Sequence, residues 1–169
     1  MVPTTRAVRK ADQTERDAIV AIDDVAIGGD DDRSTLLETA IQSGHCLVLD
    51  GDHGISGFVV TVPKGFFGRD FVELLMVDRS RRRAGVGRQL LRAAVDSGST
   101  ERVFTSTNAS NWPMRTLLEH DGWTVSGELL GLDVNDPEIV YFTDRPATPS
   151  SPSSPSTQQQ TLREPSNYE

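Results

Sequence analysis

The chain is poor in the residues that build disulfides and metal centres, with one cysteine and three histidines among 169 residues. A single cysteine excludes an intramolecular disulfide. Cys46 lies in His-Cys-Leu-Val-Leu, a strand-like run where it reads as a small buried hydrophobe rather than a nucleophile. His45, His53 and His120 lack metal-ligand spacing, so no zinc or other metal is expected. No apolar run reaches the roughly 18 residues that a membrane span requires. Positions 1–10 lack the apolar centre of a secretory signal. A cytoplasmic protein with no membrane partner is therefore expected. Positive charge is also scarce: 17 Lys and Arg face 25 Asp and Glu, giving a net charge of -8 and a pI of about 4.8. That balance speaks against a nucleic-acid partner, which needs a basic footprint. No internal repeat is evident.

Against this acidic background one stretch stands out. Residues 71–95 read Phe-Val-Glu-Leu-Leu-Met-Val-Asp-Arg-Ser-Arg-Arg-Arg-Ala-Gly-Val-Gly-Arg-Gln-Leu-Leu-Arg-Ala-Ala-Val. The apolar run 71–77 has strand length. A basic turn, 79–83, follows. Beyond Gly85 and Gly87, the apolar Val86, Leu90, Leu91, Ala94 and Val95 recur at helical spacing. A strand that hands over to a helix through a glycine-containing turn aims free backbone N–H groups, and the positive end of the helix dipole, at one point. Such a point suits an anion, and phosphate above all. The glycines let the ligand reach the backbone without meeting a Cβ. Arg82, Arg83 and Arg88 are placed to add charge for phosphate oxygens.

The turn is not a P-loop, since no Gly-Lys-Ser/Thr follows, and it lacks the third glycine of a dinucleotide fingerprint. The spacing Arg82-x-x-Gly85-x-Gly87 after a strand resembles the acetyl-CoA-binding signature of the GNAT superfamily of N-acetyltransferases. Read at one residue at a time it is also an ordinary strand-to-helix turn with surface arginines.

The rest of the chain gives an element order. Residues 7–10 are a short strand. Asp12 or Thr14 caps a helix over 16–27 that Gly28-Gly29 stops. A charged loop, Asp30 to Asp32, precedes a second helix capped by Ser34 and ended by Gly44. Residues 45–49 and 54–62 form a hairpin, and 63–70 a loop that leads into the strand 71–77. After the helix that follows, 102–106 is a strand, a helix runs from about 108–110 to His120, and 123–132 and 138–142 are strands joined by a turn at 133–137. The order β–α–α–β–β–β–α–β–α–β–β implies an α+β fold with a mixed, mostly antiparallel sheet flanked by helices. It is also the order of the GNAT fold, so the resemblance covers residues 5–143. The domain is set at 1–143. Residues 144–169, rich in Ser, Pro and Gln, cannot bury enough apolar surface to offset their ordering entropy and are expected to be a disordered, passive tail.

The resemblance implies roles. In this family the strand 71–77 and the next one splay apart, and the pantetheine arm of the co-substrate acetyl-CoA lies between them. Met76 and Val77 would give main-chain contacts to the arm. Arg82, Arg83, Ala84, Gly85, Val86, Gly87 and Arg88 would wrap the pyrophosphate. Residues 111–123, Asn-Trp-Pro-Met-Arg-Thr-Leu-Leu-Glu-His-Asp-Gly-Trp, resemble the family's later helix, Asn-x-x-Ala-x-x-x-Tyr-x-x-x-Gly-Phe, with Leu118 in place of the tyrosine that protonates the departing thiolate. Leucine has no proton to give. Tyr141, Ser110 or water would serve instead, or acid catalysis is dispensable. Asn108 and Asn111 either contact the arm or cap the helix.

The implied reaction is acetyl transfer from acetyl-CoA to a primary amine by direct attack in a ternary complex. The attacking amine must first lose a proton, its ammonium having a pKa of about 10.4. Glu73, the one carboxylate within 71–77, shares a face with Phe71, Leu75 and Val77 by strand alternation. It is either the base or a strand-face charge paired with an arginine. The acceptor is a small-molecule or peptide amine, and the protein a monomer or homodimer. The alternative is a module of the same fold that binds acyl-CoA without turnover.

Overall fold

A computed structural model describes residues 7–23 and 31–146. Seven strands and four helices follow one another in the expected order: β1 (Val8–Lys10), α1 (Arg16–Ile22), α2 (Asp31–Gln42), β2 (Cys46–Gly51), β3 (Gly54–Phe66), β4 (Arg69–Val77), α3 (Val86–Asp96), β5 (Arg102–Asn108), α4 (Trp112–His120), β6 (Thr124–Leu129) and β7 (Glu138–Asp144). They form one mixed sheet of order β1-β2-β3-β4-β5-β7-β6. Only the β4–β5 pair is parallel, and α3 is its crossover helix.

Two apolar clusters cover opposite faces of the sheet. On one face Val86, Leu90, Leu91, Ala94 and Val95 of α3 pack with Leu118 of α4, Val59, Val72, Val103, Ile139 and Tyr141. Each α3 residue predicted from its helical period is buried. On the other face Ile19 and Ile22 of α1 and Leu37, Ala40 and Ile41 of α2 meet Cys46, Val48, Phe58, Val60 and Leu74. Cys46 is fully buried there, and burial pushes its thiol up to about 12. At that value the thiolate that a nucleophile needs is absent at neutral pH.

Several element ends differ from expectation, each for a local reason. Asp12 caps a 3-10 turn at Gln13–Glu15 that leads into α1, accepting from the Thr14 amide while Glu15 reaches back to the Asp12 amide, and α1 itself starts without a side-chain cap. Helix α1 ends at Ile22, because Asp23 turns extended and its buried carboxylate takes an ion pair from Arg33 at 2.5 Å. The predicted continuation through Ile27 and the Gly28-Gly29 stop lie outside the described residues. Helix α2 begins at Asp31, so Ser34 sits inside it rather than at its cap. Asp31 and Asp32 thereby occupy the first turn, where acidic side chains complement the dipole. The expected loop at 63–70 is the end of a hairpin. Phe66 pairs with Arg69 across a two-residue turn, Phe67 and Gly68, with φ of 47° and 77°. Both values are left-handed, as a type I′ turn requires. Strand β5 runs on to Asn108, and Asn111 caps α4 by accepting from the Met114 amide at 3.3 Å.

Gly57 lets α3 sit close to the sheet. A Cβ there would lie 2.6 Å from the Met76 carbonyl oxygen and 3.1 Å from both Leu90 Cδ1 and Val86 Cγ1. Neither backbone nor core can yield cheaply, so Gly57→Ala is expected to cost about 1–3 kcal/mol. The midpoint of a urea unfolding curve checks this, and an unchanged midpoint would mean that α3 is free to shift.

Candidate active site

Strand β4 is bound on one side to β3 along most of its length, from Phe71 opposite Val62 to Val77 opposite Gly57. On its other side it meets β5 at only three pairs, Asp70–Val103, Phe71–Phe104 and Val72–Thr105. Beyond Val72 the two strands part, while β5 stays paired to β7 as far as Asn108. A wedge-shaped gap therefore opens between Glu73–Val77 on one wall and Ser106–Asn108 on the other.

The parting coincides with a bulge. Val60 faces Leu74 and Thr61 faces Val72, so Glu73 has no partner on β3. The extra residue reverses the alternation. Val72, Leu75 and Val77 pack on the α3 face, while Leu74 and Met76 pack on the α1–α2 face. Glu73 therefore does not share a simple face with Phe71, Leu75 and Val77, and it is exposed rather than on a buried side. It stands at the apex of the wedge.

Peptide groups along β4 alternate between β3 and the gap. The Asp78 amide donates to the Ser56 carbonyl on β3 at 3.0 Å, so Met76 also turns to β3 while Leu75 and Val77 turn to the gap. The Val77 carbonyl accordingly accepts from Arg82 Nε at 3.3 Å. Leu75 is a gap residue that the sequence did not single out. Only the bulge, invisible in the sequence, fixes this parity.

Above the wide end of the gap lies the N-terminus of α3. Asp78 follows β4 and caps a 3-10 turn at Arg79–Arg81, its carboxylate accepting from the Ser80 hydroxyl at 2.5 Å and amide at 2.8 Å. The Ser80 hydroxyl and then its amide hold the Asp78 carboxyl below the usual range. Arg83 and Gly85 follow with left-handed φ of 64° and 78°. Such turns fold successive N–H groups into an anion-binding concavity. A side chain at Gly85 would meet nothing within 4 Å, so the space in front of the helix is open. The first helical bond runs from the Gln89 amide to the Gly85 carbonyl, which leaves the amides of Val86, Gly87 and Arg88 without intrahelical partners. Gly87 seats the helix, its missing Cβ lying 3.1 Å from Leu117 and within 3.7 Å of Val77 and Leu75.

Arg82, Arg83 and Ala84 are exposed around this concavity. Arg88 departs from expectation. Its Nε donates to Asp121 Oδ1 at 2.7 Å, and Arg92 shares the same carboxylate. Asp121 follows α4, 33 residues away, so the Arg88 side chain ties α3 to α4.

The sequence profile of the Acetyltransferase (GNAT) family matches residues 15–123. The chain belongs to this family. A GNAT-family acetyltransferase from Bacillus cereus is 33% identical to it, with a TM-score of 0.76 over 83% of this chain and 98% of the other. A protein from Salmonella typhimurium named as an acetyltransferase, solved with acetyl-CoA, shares the fold at 18% identity and a TM-score of 0.68, over 92% of this chain and 100% of that one. A ribosomal-protein-alanine N-acetyltransferase from Brucella melitensis shares it at 19% identity and a TM-score of 0.66, over 82% and 99% of the two chains. No curated protein sequence was found to match.

In this GNAT domain the remaining predicted side chains are committed elsewhere. Asn111 caps α4 and donates to Thr107 Oγ1 at 3.0 Å. Asn108 donates to Asp133 Oδ2 at 2.7 Å in the β6–β7 connection, and Ser110 binds Asp136. Tyr141 is fully buried beneath α4. Its hydroxyl accepts from Arg115 Nε at 3.3 Å and donates to Glu119 Oε1 at 3.4 Å, so the structure does not bring it to the gap. Leu118 is fully buried in the same cluster. Among the described residues no three His, Cys, Asp or Glu side chains converge, and no helix is long and apolar enough to cross a membrane.

Proposed function

We propose that this domain transfers an acetyl group from acetyl-CoA to a primary amine by direct attack in a ternary complex. One observation carries the reading: β4 leaves β5 directly beneath an α3 N-terminus whose amides are open. The fit is specific. A diphosphate takes the concavity at 82–88, where the αL glycine offers no Cβ and the dipole favours negative charge. The pantetheine arm, itself a chain of amides, pairs with the main chain of Leu75 and Val77. The Salmonella typhimurium protein, solved with its cofactor acetyl-CoA, supports this placement by likeness of fold. When bound, acetyl-CoA supplies an electrophilic thioester carbonyl.

The chain's own part is to hold the acceptor nitrogen near that carbonyl and to remove its proton. Glu73, at the apex of the wedge, accepts that proton directly or through a water. The leaving thiolate needs no dedicated acid, because a thiol of pKa about 8.5 leaves tolerably as its anion. Leu118 is thereby accommodated, with Tyr141 too deeply engaged to donate. Glu73→Gln is expected to lower kcat by about 100-fold while leaving the Kd for CoA unchanged. Undiminished turnover across the pH range would remove Glu73 from this role.

The buried Leu118 favours one rival, a module that binds acyl-CoA without turnover. Thiol release from acetyl-CoA across a panel of amines separates the two. Release with any amine supports transfer. Tight CoA binding without release from any amine supports the rival.

A further inference from the structure

Five of the six phenylalanines gather on the sheet face opposite α3 and α4. Phe142 of β7 lies 5.8 Å from Phe104 of β5, Phe104 lies 5.1 Å from Phe66, and Phe66 lies 5.3 Å from Phe71 and 5.0 Å from Phe67. Helices α1 and α2 cover this face over β2, β3 and Leu74 and Met76 of β4, and none of the five rings belongs to their cluster. The rings form a half-open shelf.

The shelf runs into the wedge. Phe71 and Phe104 face each other across the β4–β5 ladder, one pair short of where the strands part. Glu73 stands two residues beyond Phe71, roughly 6 Å along the strand. The outer end of the shelf borders a cavity of about 550 Å³, lined by Phe66, Phe67 and Phe104. That volume suits a small organic molecule.

Charge narrows the chemistry. On the cavity rim Arg69 and Arg102 are balanced by Glu101 and Asp144. Arg102 donates to Asp144 Oδ1 at 2.7 Å and lies 4.4 Å above the Phe142 ring. A balanced rim rewards neither an anion nor a cation, so the body lying on the shelf is neutral. A cation is favoured at the inner end, where Glu73 is exposed at the apex.

Phe67 breaks two local rules at once. It adopts a left-handed φ of 47°, where Asn or Gly is favoured, and it is 94% exposed. A bulky ring held there adds nothing to either core and points to something that lies against it.

We propose that the acceptor is an arylalkylamine, a primary amine joined by a short alkyl spacer to a neutral aromatic ring that stacks on Phe71, Phe104 and Phe66. The inference rests on the acetyl-transfer reading given above. A ring seated over Phe71 and Phe104 leaves about 6 Å to the apex. A two-carbon spacer and its nitrogen bridge that distance, and a one-carbon spacer does not. Ring-on-ring contact contributes beyond the area it buries, so an aryl amine outranks an alkyl amine of similar reach.

The test uses the full chain and measures kcat/KM by thiol release from acetyl-CoA with phenethylamine, benzylamine and n-butylamine. Phenethylamine is expected to exceed each of the others by at least about tenfold. In the CoA-bound protein, where no transfer occurs, phenethylamine should shift the NMR amide signals of Phe66, Phe71 and Phe104 and leave those of β1 in place. Phe104→Leu keeps an apolar side chain but removes the ring, and should erase most of the preference through KM rather than kcat. Phe67→Ser, at an exposed position, should reduce it by a smaller factor without moving the thermal melt. Equal kcat/KM for aryl and alkyl amines, or a preference that survives both variants, overturns the proposal and leaves acetyl transfer standing. Absence of thiol release with every amine overturns both. Shelf amides that move on dilution of the protein alone, and not on addition of phenethylamine, overturn the proposal and assign the surface to a second copy.

Discussion

Gly85→Asp is expected to weaken CoA binding by more than about 100-fold, since one carboxylate some 5 Å from a phosphate charge costs roughly 3 kcal/mol at an effective dielectric of 20. The substitution is selective because of where Gly85 stands. An added Cβ meets no protein atom within 4 Å, so the fold has no reason to reject it. Its φ of 78° is one that Asp and Asn tolerate better than other side chains. The new charge therefore enters the space in front of the α3 amides and little else. Gly85→Asn is the matching control, with nearly the same shape and no charge, and it should retain most of the affinity that aspartate removes. Calorimetric titration with CoA reads both variants, and thermal melts without ligand report the fold. Undiminished affinity in the aspartate variant would move the diphosphate away from this turn.

The second large effect is on stability, at the closed end of the wedge. Asp70 is 1% exposed, at the start of β4. Its carboxylate accepts the amides of Lys64 at 3.0 Å and Thr100 at 3.1 Å, the Ser99 amide, and the Ser99 hydroxyl at 3.0 Å. Burial pushes this carboxyl up, but the amides of Lys64, Ser99 and Thr100 outweigh it and hold the group below the usual range. Asp70→Asn turns an amide donor toward converging donors and removes the charge they stabilise. A loss of about 3 kcal/mol is expected, or roughly 10 °C in Tm for a domain of this size. The sign of the pH dependence follows. A depressed carboxyl stabilises the fold above its unfolded pKa of about 3.9 and loses that contribution as pH falls through the folded value. The gap in Tm between parent and variant should therefore be full at pH 7 and narrow below about pH 4. A constant gap would mean that packing, not the charge, accounts for the loss.

These two positions show where sequence reasoning reaches and where it stops. Element order was legible because each element carries its own period. Val86, Leu90, Leu91, Ala94 and Val95 declare α3 without reference to anything else. Gly85 was legible because a ligand that reaches the backbone asks for a residue without a Cβ. What escaped depends on partners distant in the chain. Arg88 looks free until Asp121 is seen beside it. Tyr141 looks available until α4 lies over it, with Arg115 and Glu119 at its hydroxyl. The bulge at Glu73 leaves no trace in Phe-Val-Glu-Leu-Leu, yet it decides which peptide groups face the gap. The extension of β3 to Phe66 was hidden by Pro63 and Gly65, which read as loop residues.

The lone sulfhydryl, sealed between α1, α2 and the sheet, has a practical consequence at the bench. Released CoA can be followed with a chromogenic disulfide reagent, and the native protein will contribute no colour of its own, since Cys46 is inaccessible and protonated. Any slow signal before substrate is added then reports molecules opening through that core, so one cuvette measures both catalysis and unfolding.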